Sequence, residues 1–296
     1  DFNNKKFILS TDIFSTKPLF YSLEGGNLMI SSYKTCIEKN KMTDIHKVPA
    51  NTTLVFDLDT YDKISENIIF NFNIVQYKNT YDDWCKAFNR AIQKRTDTTQ
   101  KVFVSLSSGY DSGLICASLN NLGKTYKTYS VLGRENADVL NTRIRINNQK
   151  FQLYRLNPTI TDNYKKIING RCSDFSSLVR KHSPERRYSV LRDKASIGGA
   201  FIYENARRDG YYVGLSGQGA DEIISDYGFN GRKITWHSCF GGKFPEDLGS
   251  IFPWESFYSG IGQCLLMKEE IIGGSYGLEL RYPFLDKDVV QEFLWL

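Results

Sequence analysis

Hydrophobic and polar positions change rhythm along the chain, and the changes divide it. Over residues 1–75 they alternate between turn signals, as in Thr53 to Leu58, which predicts antiparallel strands. From Tyr81 to Ile92 the rhythm becomes helical: Trp84, Cys85, Phe88, Ala91 and Ile92 share one face. Strand and helix then alternate. A strand is predicted at 102–106, a helix at 112–121, a strand from Tyr126 to Leu132, a helix from Asp138 to Asn147 and a strand from Phe151 to Leu156. Residues 160–210 read as mostly helical with a break at Pro184, and Tyr212 to Leu215 as a fourth strand. The remainder reads as helix around a Gly-rich loop at 241–249, ending in an amphipathic helix at Leu294-Trp295-Leu296. Such alternation implies an α/β fold with a parallel sheet behind an antiparallel β region.

The apolar strand Val102–Leu106 runs into Ser107, Ser108, Gly109, Asp111 and Ser112 and then into an apolar helix. Backbone N–H groups and hydroxyls at a helix N-terminus stabilise an anion, above all a phosphate. Asp111 would repel bare phosphate and makes sense there with a hard cation, Mg²⁺ being the natural one beside nucleotide oxygens. A turn of this kind also serves as a plain connection, and it is neither a Walker A loop nor a dinucleotide fingerprint.

A second strand-to-turn unit follows later, Tyr212-Val213-Gly214-Leu215 and then Ser216-Gly217-Gln218-Gly219-Ala220-Asp221-Glu222. Two such units, each ending in an Asp, suit one parallel sheet with both loops at its carboxyl edge, where ligands bind in open α/β sheets. Asp111 and Asp221 could then share one Mg²⁺.

Ser107-Ser108-Gly109-Tyr110-Asp111-Ser112 resembles the Ser-Gly-Gly-x-Asp-Ser pyrophosphate loop of the N-type ATP pyrophosphatases. The segment Ser216–Glu222 resembles the second signature of the asparagine synthetase and β-lactam synthetase family. Glu279-Leu280-Arg281-Tyr282-Pro283-Phe284-Leu285-Asp286 is similar to that family's Glu-x-Arg-x-Pro-Phe-Leu-Asp motif. The three motifs keep the family order. Upstream, Asp12 to Tyr21 and Gly26 to Ser32 resemble the later half of the family's glutaminase (Ntn) domain, although an ordinary antiparallel β region would read the same way.

The resemblance implies a fold, a reaction and a set of roles. Residues 1–76 would be the C-terminal part of a class II glutaminase-type domain, and 77–296 an ATP-pyrophosphatase synthetase domain. Leu106, Ser107, Ser108, Gly109, Asp111 and Ser112 would hold the β- and γ-phosphates of ATP, with Val131 against adenine. Ser216 and Gly217 would contact the α-phosphate or the adenylate, and Asp111 and Asp221 would bind Mg²⁺. Glu279 and Arg281 would form a buried structural pair. The implied reaction activates a small-molecule carboxylate as an acyl-adenylate, releases pyrophosphate, and transfers ammonia or an amine, with glutamine a source of ammonia. A homodimer is left open.

Departures from the family pattern matter as much. A glutaminase of this class needs an N-terminal Cys, whereas this chain begins Asp1-Phe2-Asn3. The family's tail Lys, beyond Asp286, is not placed. Further sequence is therefore expected at both ends. Gln218 stands where asparagine synthetase has Glu and β-lactam synthetase has Tyr, and an amide cannot act as a general base near neutral pH. The β-lactam enzyme pairs its Tyr with a downstream Glu; Glu255 stands at a comparable distance and is the candidate replacement, though it also fits a surface position beside Trp254. Gln218 and Glu255 are thus the candidate catalytic residues. A non-catalytic nucleotide-binding protein, or a nucleic-acid-modifying ATP pyrophosphatase, remains as an alternative.

Composition narrows this reading without changing it. A net charge of +5 suits a phosphate-rich ligand and does not demand nucleic acid; Arg180-Lys181, Arg186-Arg187 and Arg207-Arg208 read as solvated clusters. The six cysteines (Cys36, Cys85, Cys116, Cys172, Cys239, Cys264) lack Cys-x-x-Cys spacing and read as reduced thiols of a cytoplasmic protein. His46, His182 and His237 show no zinc-ligand spacing. No apolar run approaches membrane-spanning length.

Overall fold

The computed structural model describes residues 1–133, 135–147, 150–171, 176–180, 183–189, 194–235 and 237–296. Two compact units emerge from its contacts: residues 1–73 with 245–267, and residues 74–244 with 268–296.

In the first unit, strands β1 (Lys6–Ser10), β2 (Phe20–Glu24), β3 (Asn27–Ser31), β4 (Ile45–Lys47), β5 (Thr52–Asp57) and β6 (Lys63–Ile68) form two antiparallel sheets, ordered β1-β5-β6 and β3-β2-β4. The alternation read from sequence is the cause. In β5 the side chains of Thr52, Leu54 and Phe56 are buried while their neighbours are half-exposed, as a period of two requires. Leu9, Val48, Leu54 and Phe56 make the core, with Phe7 stacked on Phe56 at 4.6 Å between ring centroids. A helix at Lys34–Lys39 interrupts the stretch expected to be strand; it buries Ile37 alone, and six residues are too few to show a helical period. Residues 245–267 bring in a short helix at Glu255–Tyr258.

The second unit is built on a parallel sheet. Its strands are β7 (Val102–Ser105), β8 (Lys127–Val131), β9 (Lys150–Tyr154), β12 (Val213–Leu215) and β13 (Glu279–Arg281), in the order β13-β12-β7-β8-β9; β10 (Ser176–Arg180) and β11 (Ser183–Ser189) pair separately. The central strands β7 and β12 are apolar and buried throughout their hydrophobic length, as strands covered on both faces must be. The expected α/β class with a parallel sheet is therefore present.

Two expectations need correction. The stretch 160–210 is two helices, Pro158–Arg171 and Lys194–Arg208, flanking the β10–β11 hairpin. Pro184 lies near the start of β11, outside the register pairs Ser176↔Ser189, Val179↔Arg187 and Arg180↔Ser183, so the break is a strand start and not a helix kink. The downstream region also contains β13, a fifth strand of three residues, too short to carry a periodic signal. Cys172, Lys181 and His182 lie outside the described residues.

The core of this unit gathers Phe88, Ala91 and Ile92 of the helix Asp82–Thr96, Val104 and Leu106, Ile115 and Leu119, Leu215, Phe284 and Val289. Phe88 meets Phe284 at 4.7 Å between centroids, tying the Pro-Phe-Leu-Asp segment to that helix. Asp286 completes the tie: buried, it accepts from Arg95 Nη1 at 2.7 Å and Lys94 Nζ at 2.9 Å, and caps the helix Lys287–Leu294 by accepting from Asp288 N–H at 3.1 Å. Burial opposes its ionisation, but the hydrogen bonds and charges of Arg95 and Lys94 prevail and hold its carboxyl below the usual range. Its contribution is full at neutral pH and is lost as pH falls through that depressed value. Asp286→Ala is expected to lower unfolding stability by about 3 kcal/mol at pH 7 in urea titrations, combining a lost cap with an orphaned cation. A loss below about 1 kcal/mol, the ordinary effect of a surface change, would refute this role.

Candidate active site

Strand order decides where the site lies. The chain runs outward from β7 through β8 to β9, then returns to place β12 on the other side of β7. Connections leaving β7 and β12 therefore diverge, and the crevice between their carboxyl ends is the topological switch point. The two strands pair in parallel register, Val213↔Val102, Gly214↔Phe103 and Leu215↔Val104, so Leu106–Ser112 and Ser216–Glu222 leave the sheet side by side.

How tightly the loops abut is visible at Gly217. A Cβ there would stand 2.7 Å from Asp111 Cβ, closer than any real contact, so only glycine lets the second loop pass the first. Gly219 has φ +99° and lies against Leu285, again a position for glycine. Beyond it Ala220–Ile224 forms a single π-turn, with Ser225 N–H donating to Ala220 O at 3.0 Å. Buried Glu222 fixes this turn by accepting from Gly219 N–H at 2.8 Å and from the Tyr227 hydroxyl. Burial pushes its carboxyl up to about 7 against those two hydrogen bonds.

The first loop is ordered by its own hydroxyls. Ser107 N–H donates to Ser112 Oγ at 3.0 Å, and Gly109 N–H donates to Ser107 Oγ at 3.0 Å. The helix Tyr110–Asn121 begins at Gly109 with no side-chain cap, leaving its N-terminus able to receive an anion. Arg143 donates to Ser107 O at 3.0 Å and also to Gly109 O, placing a guanidinium behind the loop. Leu106 is buried and donates its N–H to Tyr129 O at 2.9 Å, whereas Val131, at the carboxyl end of β8, is half-exposed.

Asp111 and Asp221 come together at this junction. Burial, reinforced by the Asp221 charge and opposed by Arg143, pushes the Asp111 carboxyl up to about 6; burial also raises Asp221. Two half-buried carboxylates that resist ionisation beside one another create a demand for a cation. A Mg²⁺ ion, which uses one or two carboxylates and completes its shell with phosphates and water, fits that donor set. Among the described residues no group of three or more His, Cys, Asp or Glu side chains forms a metal cage, and Cys36, Cys85, Cys116, Cys239 and Cys264 are free thiols.

Gln218 has a partner that the sequence did not single out. Its Nε2 donates to Glu269 Oε1 at 3.2 Å, while Glu269 Oε2 is closed off from solvent with no hydrogen-bond partner among the described residues. Burial raises the Glu269 carboxyl, tempered by Ser216, Lys268 and Gln218. The one signal in the sequence was the charged run Lys268-Glu269-Glu270 inside the otherwise apolar helix Gly260–Ser275. Glu255 heads the helix Glu255–Tyr258 and belongs to the first unit. Glu279 and Arg281 do pair, Nε donating to Oε1 at 2.8 Å, but the pair is not buried. The Glu279 side chain is 55% exposed because β13 is the edge strand; Arg281 instead fixes backbone, donating to Arg95 O at 2.6 Å.

The sequence profile of the asparagine synthase family matches residues 83–256, more than half of the chain. The chain belongs to that family. Among similar proteins are the glutamine-hydrolysing asparagine synthetase of Rattus norvegicus, 23% identical over 97% of this chain and 53% of the relative, and that of Homo sapiens, 23% identical over 97% and 53%. A putative glutamine-hydrolysing asparagine synthetase of Methanocaldococcus jannaschii is 27% identical over 96% of this chain and 52% of the relative. The chain thus spans about half the length of the curated relatives it matches. NMN synthetase from Francisella tularensis aligns over 73% of this chain and 92% of its own with a TM-score of 0.34 and 12% identity. Among the described residues no helix is long and apolar enough to cross a membrane.

The raised carboxyl of Asp111 carries a sign. The folded state binds a proton there more tightly than the unfolded chain does, so ligand-free stability falls as pH rises from about 4 to about 6. Asp111→Asn is therefore expected to be more stable than the native chain at pH 7 by about 1–2 kcal/mol, allowing for solvent screening. The gain should vanish below about pH 4. Urea unfolding across this range checks it, and an Asn variant no more stable at pH 7 would contradict the assignment.

Proposed function

We propose that the second unit is an ATP-pyrophosphatase-type synthetase domain that activates a carboxylate with Mg²⁺-ATP and passes the acyl group to ammonia or an amine. The observation that carries this reading is the adjacent exit of the two Ser/Gly loops at the switch point, with the Asp221 charge acting on Asp111. In this reading the first unit is the C-terminal part of a glutaminase-like (Ntn) domain, and glutamine is one source of the ammonia.

Residues then divide the work. Ser107, Ser108, Gly109, Ser112 and the open helix N-terminus receive the β- and γ-phosphates. Leu106 leads the chain into this phosphate loop, Val131 borders the adenine, and Ser216 with Gly217 faces the α-phosphate. A Mg²⁺ ion held by Asp111 and Asp221 would supply charge neutralisation of the departing pyrophosphate. The substrate carboxylate attacks the α-phosphorus, the bond to the bridging oxygen of pyrophosphate breaks, and an acyl-adenylate remains. The nitrogen nucleophile then adds to the acyl carbon, loses a proton, and expels AMP to leave an amide. Gln218 orients groups by hydrogen bonding and accepts no proton. Of the two carboxylates proposed for the proton, Glu255 stands on sequence spacing, while Glu269 has a hydrogen bond to Gln218 and an oxygen without a hydrogen-bond partner among the described residues. Glu269 is the assignment we make.

Asp111→Asn and Asp221→Asn are each expected to lower carboxylate-dependent pyrophosphate release by at least about a hundredfold, with the fold retained by circular dichroism. Undiminished release in either variant would remove the site assignment. A screen of carboxylates for ATP–pyrophosphate exchange identifies the acid, and ATP binding without exchange for any acid would favour the non-catalytic alternative. Glu269→Gln is expected to spare exchange but slow amide formation; equal slowing of both steps would make Glu269 structural.

A further inference from the structure

An anion of the chain itself is seated on the phosphate loop. Glu135, in the turn between β8 and the helix Ala137–Asn147, accepts through Oε2 from Ser108 N–H at 2.5 Å and from the Ser108 hydroxyl. The next residue locks the arrangement, because Asn136 N–H donates to Ser108 Oγ at 3.1 Å. This turn is itself held. Asn136 Oδ1 accepts from the N–H groups of Asp138 and Val139, both at 3.1 Å, fixing the start of the following helix. Glu135 thus stands two residues before a helix whose start is capped by Asn136.

Two neighbouring donors are spent within the loop, Ser107 N–H on Ser112 and Gly109 N–H on Ser107, while the first N–H groups of the helix stay uncapped. Ser108 alone directs both its N–H and its hydroxyl to a carboxylate, the pairing of donors that a phosphate oxygen would take. A phosphate and Glu135 cannot both hold them. Like charge adds to the competition, since Asp111 lies three residues further along the same loop.

We propose that Glu135 is a specificity-determining residue, an internal phosphate mimic that a ligand must displace from Ser108. Ligands with a pyrophosphate arm compete for that seat, and AMP, which has only the phosphate assigned to the second loop, does not. The proposal rests on reading Leu106–Ser112 as the ATP pyrophosphate loop. If the seated arrangement outnumbers the open one by about ten to one, affinity for a displacing ligand is weakened about tenfold.

The test is titration calorimetry of this chain with Mg²⁺-pyrophosphate, Mg²⁺-ATP and AMP, for the native sequence, Glu135→Gln and Glu135→Ala. The expected result is a Kd about tenfold lower for pyrophosphate and ATP in Glu135→Ala, a smaller gain in Glu135→Gln, whose amide oxygen still accepts, and unchanged AMP binding. Unchanged pyrophosphate affinity in both folded variants overturns the proposal while leaving the ATP reading intact. Weaker pyrophosphate binding also overturns it and makes Glu135 a group that assists binding. Equal tightening for AMP reduces the effect to general repulsion and overturns it too. Absence of pyrophosphate and ATP binding in all three chains removes the ATP reading and the proposal together.

Discussion

Parallel pairing of β12 with β7 is the constraint on which the rest of the second unit depends. Each strand is short, and each ends in a Ser/Gly turn bearing an Asp. Had β12 added beyond β9, or run antiparallel, the same residues would lie at separate edges of the sheet. Register pairs such as Leu215↔Val104 bring both turns out at one level, and Gly217 then permits the backbone contact that seats one loop against the other. The burial of both Asp carboxyls, and the demand for a cation, follow from that contact.

The site is electrostatically unsatisfied by design of its neighbours. Asp111, Asp221 and Glu222 converge on one turn, and only Arg143 opposes Asp111 directly. Glu222 has its oxygens occupied by Gly219 N–H and the Tyr227 hydroxyl and so serves the backbone, although burial and the Asp221 charge still raise its carboxyl. Among the described residues no hydrogen bond of this kind holds the carboxylate of Asp111 or Asp221, an arrangement suited to binding a cation. Glu135 and Glu269 extend the acidic surround on either side, one on the first loop and one behind the second. Rigid support comes from farther off, where Asp286 clamps Lys94 and Arg95 and fixes the segment that carries Leu285 against Gly219.

Membership of the asparagine synthase family agrees with this arrangement and constrains its reading. The curated relatives are about twice as long as this chain, so their activity as whole proteins is carried here only as a proposal. Replacement of the family's acid or phenol by Gln218 is the informative departure. In the proposed function this neutral amide keeps a hydrogen-bonding group at the second loop, and the proton-accepting role is assigned to a carboxylate elsewhere.

Much was legible in the sequence because it was local. The alternation read at Thr53 to Leu58, the helical face read from Tyr81 to Ile92 and the two Ser/Gly turns are short-range patterns that appear within a few residues of where they were read, although Cys85, placed on the apolar face, is exposed. Short or mixed elements were not legible: three residues of β13 carry no period, and the Ser176–Ser189 hairpin lies between two helices whose pattern masked it. The partners of the site were out of reach for a different reason. Glu135 on Ser108, Glu269 on Gln218, Arg143 behind the loop and the exposed Glu279–Arg281 pair depend on which strand lies beside which and which is the edge. The chemistry available in each loop could be read along the chain, since residue type and turn geometry are local properties. Which charges meet is settled by sheet order and burial, so it became visible only in the folded chain, where residues far apart in sequence stand side by side.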